Sequence, residues 1–268
     1  MKQANVDGIT LEYEVQGSGD PVVFIHGGLF ESFGPMAADP ALNGFRLIRY
    51  CRRGYAGSNA DAAVPIARQA ADCLALIRLL DTAPAHVVGH SSGGDIALQL
   101  ALDAPNAVRS LTLLEPALLS VPSGGQLFEK LGSSVQKYQA GDKAGAVDTF
   151  MKGVCGDGYR AAMERTLPGT IEQAIADSDS FFAGEFPAVG EWTFSQEDAA
   201  RIRQPVLSVL GANSDAAIGL PVYEEINQRV LEWFPNAKPF VLPQAAHLLH
   251  IENPHDMAEG LAAFLESN

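Results

Sequence analysis

A serine stands at the centre of a short stretch flanked by glycines. Residues 89–93 read GHSSG and match the pattern G-x-S-x-G, with Ser91 as the central residue. A serine hydroxyl is a weak nucleophile until an imidazole takes its proton, and a carboxylate must hold that imidazole in the right tautomer. The pentapeptide also recurs by chance, and a glycine-rich turn with a capping serine is the alternative interpretation. The rest of the chain must therefore supply a base, an acid and backbone donors.

Candidates for the base and the acid occur further along the chain. Asp215 follows one apolar segment and His247 follows another, so the order along the chain is Ser91, Asp215, His247. Glu115 ends the apolar segment 108–114 and is the alternative acid. The sequence predicts a nucleophile, an acid and a base, and it leaves two carboxylates for the acid.

The segments that precede these residues have the pattern of strands. Residues 9–16 alternate apolar and polar side chains, as a half-buried antiparallel strand does. The pattern of buried parallel strands occurs in 21–26, 45–50, 85–90, 108–114, 205–210 and 238–242. Helical spacing separates these runs in 65–81, 92–104 and 221–234, and a last helix opens with Asn253-Pro254 and runs to about 266. This alternation predicts a mainly parallel sheet whose carboxyl ends carry the candidate residues.

The alternation stops in the middle of the chain. Between 117 and 200 no segment has a convincing strand pattern, and helical segments are predicted at 124–140, 142–154, 158–166 and 169–183. A helical block inside an α/β pattern indicates an insertion over the end of the sheet. We therefore expect a core from 1–116 and 201–268, with a helical cap from 117–200.

Composition and charge limit the partners. The chain has 268 residues, 47% of them hydrophobic, which is enough for one large α/β domain with an insertion. A net charge of −14 argues against nucleic acid and anionic membrane surfaces, because both would repel it. Three scattered cysteines argue against a disulfide framework or a zinc site. With neither a signal-like start nor a run of 18 apolar residues, we expect a cytoplasmic protein, monomeric or homodimeric.

The motifs together resemble the α/β-hydrolase fold superfamily. The resemblance covers nearly the whole chain and includes the serine turn and the helical insertion. It also includes the loop His26-Gly27-Gly28-Leu29, the loop 53–58 (RGYAGS), and the closing Ala246-His247 with Asn253-Pro254. It implies an α/β fold with a mostly parallel central sheet flanked by helices, and a helical cap.

The resemblance also implies a role for each candidate. Ser91 would be the nucleophile and His247 the general base and acid. The backbone N–H groups of Gly28 and Ser92 would form the oxyanion hole, and no metal or organic cofactor is implied. The family's common spacing for the acid is Gly-x-x-Asp, and Asp215 lies one residue further on. Some members place the acid where Glu115 stands, but we favour Asp215.

A serine at this turn selects among the reactions of the superfamily. It argues against haloalkane dehalogenase and epoxide hydrolase chemistry, which need an aspartate there. We expect a serine hydrolase that cleaves a small or medium carboxylic ester or a lactone through an acyl-enzyme. The alternatives are a C–C bond hydrolase, a cofactor-free perhydrolase, and a small-molecule receptor with slow hydrolysis. The predicted substrate contacts are Leu29, Phe30, Phe150, Phe181, Phe182, Trp192 and Leu248.

Overall fold

An eight-stranded sheet lies at the centre of the computed structural model, which describes residues 1–59 and 64–268. The strands are β1 (Lys2–Val6), β2 (Ile9–Gln16), β3 (Asp20–Ile25), β4 (Phe45–Tyr50), β5 (Ala85–His90), β6 (Val108–Leu114), β7 (Val206–Gly211) and β8 (Lys238–Leu242). Their order across the sheet is β1-β2-β4-β3-β5-β6-β7-β8. β2 pairs antiparallel with β1 and β4, and every later pairing is parallel. The carboxyl ends of the parallel strands therefore share one edge.

The strands follow from their side-chain patterns. Every residue of β5 is buried, as expected for a central parallel strand covered on both faces. In β3, Val22 and Phe24 pack into one apolar layer while Val23 and Ile25 pack into the other, because successive side chains point to opposite faces. The strand β1 was not predicted. Its sequence, KQANV, is mostly polar, and it forms by pairing with β2 at the sheet edge.

Helices cover both faces of the sheet. They are α1 (Gly34–Ala37), α2 (Ile66–Leu79), α3 (Ser92–Asp103), α4 (Gly124–Gln139), α5 (Lys143–Cys155), α6 (Tyr159–Thr166), α7 (Thr170–Ala176), α8 (Phe186–Glu191), α9 (Gln196–Ala199), α10 (Ser214–Ile218), α11 (Val222–Trp233), α12 (Leu249–Glu252) and α13 (Pro254–Glu266). Short 3₁₀ turns span Pro40–Leu42 and Pro105–Ala107. The Asn253 side chain caps α13, and Pro254 occupies the first turn, as the sequence predicts. Within the described residues, no helix is both long and apolar enough to cross a membrane.

The chain between β6 and β7 is helical. It contains α4 to α9 and a segment of π-helix at Ser180–Glu185, and no strand among the described residues. We call α4 to α9 together with the π-helix the cap helices. They continue the apolar core of the sheet, since Leu127, Met151 and Phe181 belong to the same buried cluster as Ile96 of α3. Leu127, Met151 and Phe181 also line one pocket with Ser91 and Glu115, which follow β5 and β6.

Candidate active site

Ser91 lies in the sharp turn between β5 and α3. Its backbone has φ 52° and ψ −125°, a conformation that costs a non-glycine residue about 1–3 kcal/mol. The surroundings hold it there: the Ser91 N–H donates to the Leu114 carbonyl (3.0 Å), and the Ser91 carbonyl accepts from the Gly94 N–H (2.8 Å). Backbone strain that the surrounding structure maintains is frequent at functional positions. Ser91 lines a pocket.

The glycines of the pattern make this turn possible. A Cβ on Gly89 would lie 2.4 Å from the Gly93 carbonyl oxygen. A Cβ on Gly93 would lie 2.1 Å from the Ile25 carbonyl oxygen, because the start of α3 packs closely against β3. Real Cβ atoms do not approach other atoms so closely. The flanking glycines are therefore required by close packing, whatever chemistry Ser91 performs.

His247 lines the same pocket as Ser91, in the loop after β8. Its Nδ1 is 2.6 Å from Oε2 of Glu115. His90 Nε2 donates to the His247 carbonyl oxygen (2.8 Å), and the Tyr223 ring stacks on the imidazole with centroids 4.6 Å apart. Burial lowers the pKa of His247, which keeps the ring neutral. With Nδ1–H donating to Glu115, Nε2 is the proton acceptor that a general base needs.

Glu115 follows β6 and is buried. Its Oε1 accepts from the Gly211 N–H (2.8 Å) and the Ser214 hydroxyl (2.5 Å), while Oε2 faces His247. Burial raises the pKa of this carboxyl above its usual value, and the hydrogen bonds from Ser214 and Gly211 limit the rise. Three donors thus surround one carboxylate. This arrangement fixes the tautomer of His247 and can stabilise an imidazolium when the ring takes up a proton.

The choice of Asp215 as the partner of His247 is wrong. The Asp215 carboxylate accepts instead from the backbone N–H groups of Tyr223 (2.8 Å) and Glu224 (3.1 Å). These are in the first turn of α11, where free N–H groups and the helix dipole attract a carboxylate. The β7 loop contributes Ser214 to the site, one residue before Asp215. The alternative acid, Glu115, holds the imidazole.

The predicted oxyanion donors lie beside Ser91. Gly28 and Ser92 both line its pocket, and within the described chain neither N–H has a hydrogen-bond acceptor. Ser92 is the first residue of α3, where the N–H is left free and the dipole favours negative charge. A Cβ on Gly28 would lie 2.5 Å from the Phe181 ring, so a larger residue there would have to displace this ring of the cap. The two N–H groups can receive a developing negative charge.

Four of the seven predicted substrate contacts line the pocket: Phe30, Phe150, Phe181 and Leu248. The other three do not. Leu29 is fully buried in the core at φ 76°, and Phe182 stacks on Tyr138 with centroids 5.0 Å apart. Trp192 stacks on Phe194 (5.5 Å) and lines a neighbouring cavity instead. Helical spacing in the cap predicts that aromatic residues are buried, but not which side of each helix faces the pocket.

Sequence reasoning missed most of the apolar lining. The additional side chains come from cap helices and from α11: Leu127, Phe128, Leu131, Met151, Val154, Phe186, Val189, Tyr223 and Ile226. Spacings of three and four residues, as between Leu127 and Leu131, were the available signal. Glu185, which also lines the pocket, carries no such signal. It reaches the site because a π-helix places it there.

Comparisons with known proteins identify the family of this fold. The family model described as alpha/beta hydrolase fold matches residues 20–254. The chain therefore belongs to the alpha/beta hydrolase family and is a hydrolase. The predictions of an α/β-hydrolase fold and of a hydrolase are confirmed.

Individual relatives cover almost the whole chain. A protein of Mycobacterium tuberculosis (strain H37Rv) that carries the name non-heme bromoperoxidase BpoC is 29% identical over 97% of this chain and 98% of its own. The enol-lactonase of Burkholderia xenovorans LB400 superposes with a TM-score of 0.83 at 20% identity, over 99% of this chain and all of the other. A thermophilic esterase of Thermogutta terrifontis gives a TM-score of 0.81 at 20% identity, over 100% and 99%. At such identities the two structures show a shared fold.

Proposed function

We propose that this protein is a serine hydrolase that cleaves small carboxylic esters or lactones through an acyl-enzyme on Ser91. One observation carries the proposal. The pocket that contains the strained Ser91 also contains His247, whose Nδ1 is 2.6 Å from the buried Glu115 carboxylate. A nucleophile, an orienting acid and a base that follow β5, β6 and β8 at one edge of the sheet form the arrangement that activates a serine hydroxyl.

In the first half of the reaction, Nε2 of His247 takes the proton of the Ser91 hydroxyl as Oγ attacks the carbonyl carbon. The negative charge of the tetrahedral intermediate falls on the carbonyl oxygen. The N–H groups of Gly28 and Ser92 stabilise it, and each such donor contributes about 3 kcal/mol in comparable sites. His247 then gives its proton to the leaving alkoxide, and the acyl group stays on Ser91.

In the second half, water replaces the alcohol. His247 removes a proton from the water, the resulting hydroxide attacks the acyl carbon, and the ester bond to Ser91 breaks. The carboxylic acid leaves, and Ser91 recovers its proton. With a lactone, the acid and the alcohol leave as one hydroxy acid.

The pocket favours small, neutral and apolar substrates. Its walls are mostly aliphatic and aromatic side chains, and its space of about 80 Å³ is enough for a handful of water-sized groups. Its two carboxylates, Glu115 and Glu185, are both already held by hydrogen bonds, so neither is left to bind a substrate cation. Relatives described as an esterase and an enol-lactonase support the same substrate classes.

A second candidate activity uses the same acyl-enzyme. Hydrogen peroxide can replace water in the second half and release a peracid, which oxidises bromide without a cofactor. The relative named as a bromoperoxidase supports this reaction. Bromination that requires acetate, peroxide and Ser91 together would establish it, and bromination that survives Ser91→Ala would exclude it.

The test of the main proposal is a substrate screen. p-Nitrophenyl esters from acetate to octanoate and a matched set of lactones are assayed with the wild-type protein and with Ser91→Ala. We expect turnover to be highest on short acyl chains and to be abolished by Ser91→Ala. Failure to hydrolyse any member of either set, or equal turnover by Ser91→Ala, would contradict the proposal.

A further inference from the structure

A buried ion pair joins the cap helices to the sheet. Nη2 of Arg52, in the loop after β4, is 2.8 Å and 2.9 Å from the two carboxylate oxygens of Glu185. Arg52 is 1% exposed and Glu185 is 3% exposed. Glu185 ends the π-helix, so the pair fixes that segment of the cap against the core.

Such a pair is costly to bury, and its polar neighbours explain how it is tolerated. The Tyr55 and Ser92 hydroxyls both donate to Glu185, and Arg52 Nη1 donates to Gln69 (2.5 Å). Arg52 Nε has no hydrogen-bond partner among the described residues, and even a fully paired buried ion pair gives little net stability compared with apolar side chains of similar volume. A gain in stability therefore does not explain why an ion pair is buried here, and its other contacts suggest a different role.

Each partner of the ion pair forms a hydrogen bond next to one of the proposed oxyanion donors. Nη2 of Arg52 also donates to the Gly27 carbonyl oxygen (2.7 Å). This carbonyl belongs to the same peptide group as the Gly28 N–H, so a donor on its oxygen fixes the peptide and polarises its N–H. On the other side, the Ser92 hydroxyl donates to Oε1 of Glu185, which ties the first residue of α3 to the cap.

His26 completes the support of the Gly27–Gly28 peptide. Its Nε2 accepts the Arg52 backbone N–H (2.9 Å), so the proton of the neutral ring is on Nδ1. Nδ1 then donates to the same Gly27 carbonyl oxygen (2.6 Å). Burial lowers the pKa of His26, and the charge of Arg52 lowers it further, so the ring stays neutral. The peptide is thus held by two donors, both organised around Arg52.

We propose that the Arg52–Glu185 pair is a positioning device for the oxyanion hole. Arg52 sets the peptide that presents the Gly28 N–H, and Glu185 sets the residue that presents the Ser92 N–H. One ion pair thereby couples the geometry of both donors to the seating of the cap. This inference rests on the proposed function, because it assigns a role within the reaction at Ser91.

The role predicts a particular kinetic signature. Misplaced donors weaken binding of the tetrahedral intermediate more than binding of the substrate, so kcat should fall while KM changes little. Loss of a single oxyanion donor costs about 10²–10³-fold in kcat in comparable sites. A positioning residue acts indirectly, and we expect a fall of about 10–100-fold for Glu185→Gln, which keeps the shape but removes the charge.

A double variant separates positioning from stability. Arg52→Met with Glu185→Leu replaces the pair by apolar side chains, which commonly restores the melting temperature that a single charge deletion lowers. We expect kcat to stay low in this variant even where its melting temperature recovers. Asp72→Asn is the matched control, because the buried pair Arg53–Asp72 (2.8 Å) has neither member in the pocket lining. Its kcat should stay within about twofold of the wild type for a folded protein.

The experiment measures kcat, KM, the melting temperature and inhibition by an alkyl boronic acid, which forms a tetrahedral adduct on the serine. The proposal predicts lower kcat and weaker boronate binding for Glu185→Gln and for the double variant, with KM nearly unchanged. It is overturned if kcat and boronate affinity of Glu185→Gln match the wild type, or if both recover together with stability in the double variant. Absence of Ser91-dependent turnover in the wild type would instead overturn the proposed function, and this inference with it.

Discussion

Two carboxylates lie at the ends of neighbouring strands, and their hydrogen bonds separate their roles. Glu115 follows β6 and contacts His247, while Asp215 follows β7 and caps α11. The longer side chain of Glu115 reaches the imidazole from the end of β6. The start of α10 at Ser214 turns Asp215 toward the first N–H groups of α11. We expect these different contacts to give different results on mutation.

Glu115→Gln should lower kcat by about 10³–10⁴-fold, because an amide does not fix the reactive tautomer of His247 or stabilise its cation. Asp215→Asn should keep most of the activity and lower the free energy of unfolding by about 1 kcal/mol, as the loss of a helix cap does. Steady-state kinetics and denaturant unfolding of both variants measure these effects. A nearly inactive Asp215→Asn protein and an active Glu115→Gln protein would instead identify Asp215 as the acid.

The same pair predicts a change in pH dependence. The proposed mechanism requires a neutral His247, so kcat/KM should fall as the pH drops through the pKa of the His247–Glu115 pair. Glu115→Gln removes the negative charge that favours the imidazolium, and burial already lowers the pKa of His247. In Glu115→Gln, the acidic limb of the kcat/KM profile should therefore lie at lower pH than in the wild type. An unchanged limb would show that the charge of Glu115 does not affect the pKa of His247.

Ser91 and His247 were predictable because each has a local signature: a turn that needs glycines, and a strand end before a capped helix. The acid had no such signature. Two carboxylates satisfied the chain order, and the choice depended on side-chain reach and on the helix that follows the β7 loop. Glu185 was not predictable at all, since its position depends on the packing of the cap against Arg52.

Among the elements, the cap helices set the shape of the pocket. Phe128 of α4 stacks on Phe186 (5.0 Å) and separates the Ser91 pocket from a larger cavity of about 430 Å³. Val189 of α8 also borders both spaces. We expect a side chain in this dividing wall to limit how far an acyl chain extends from Ser91.

Phe128→Leu should open the wall and shift the preference toward longer acyl chains. We expect the ratio of kcat/KM for p-nitrophenyl octanoate to that for acetate to rise about tenfold, the size of effect that small changes in an apolar pocket produce. Phe182→Leu is the matched control, because Phe182 packs on Tyr138 outside the pocket lining. Equal chain-length profiles in both variants would show that Phe128 does not limit the substrate.

Most strands and helices were predictable, because burial imposes a short apolar run or a helical spacing on the sequence. The strands at 45–50, 85–90, 108–114 and 238–242 have the predicted bounds. The mostly polar β1 and the π-helix were not predicted. The first depends on pairing with β2, and the second begins within the segment 169–183, for which an ordinary helix was expected. Both are consequences of tertiary contacts that local patterns do not record.

The backbone at Ser91 is strained, and the surrounding fold must hold it in that conformation. Relieving the backbone of Ser91 should stabilise the protein while removing its activity. Ser91→Gly removes the steric cost of φ 52°, about 1–3 kcal/mol, against an entropic cost of about 0.5–1 kcal/mol for glycine. Ser91→Ala keeps a Cβ and therefore the strain. Both variants should be inactive, but Ser91→Gly should unfold at a higher temperature than Ser91→Ala, and the reverse order would contradict stored strain at this turn.

In the proposed reaction, an acyl group is transferred to the Ser91 hydroxyl. Its most direct test is mass spectrometry of the intact protein and its peptides after reaction with a fluorophosphonate, which traps an activated serine. We predict one adduct per chain on the peptide that contains Ser91, slowed in His247→Ala and absent in Ser91→Ala. An adduct on another residue, or undiminished labelling of Ser91→Ala, would contradict an acyl-enzyme on Ser91.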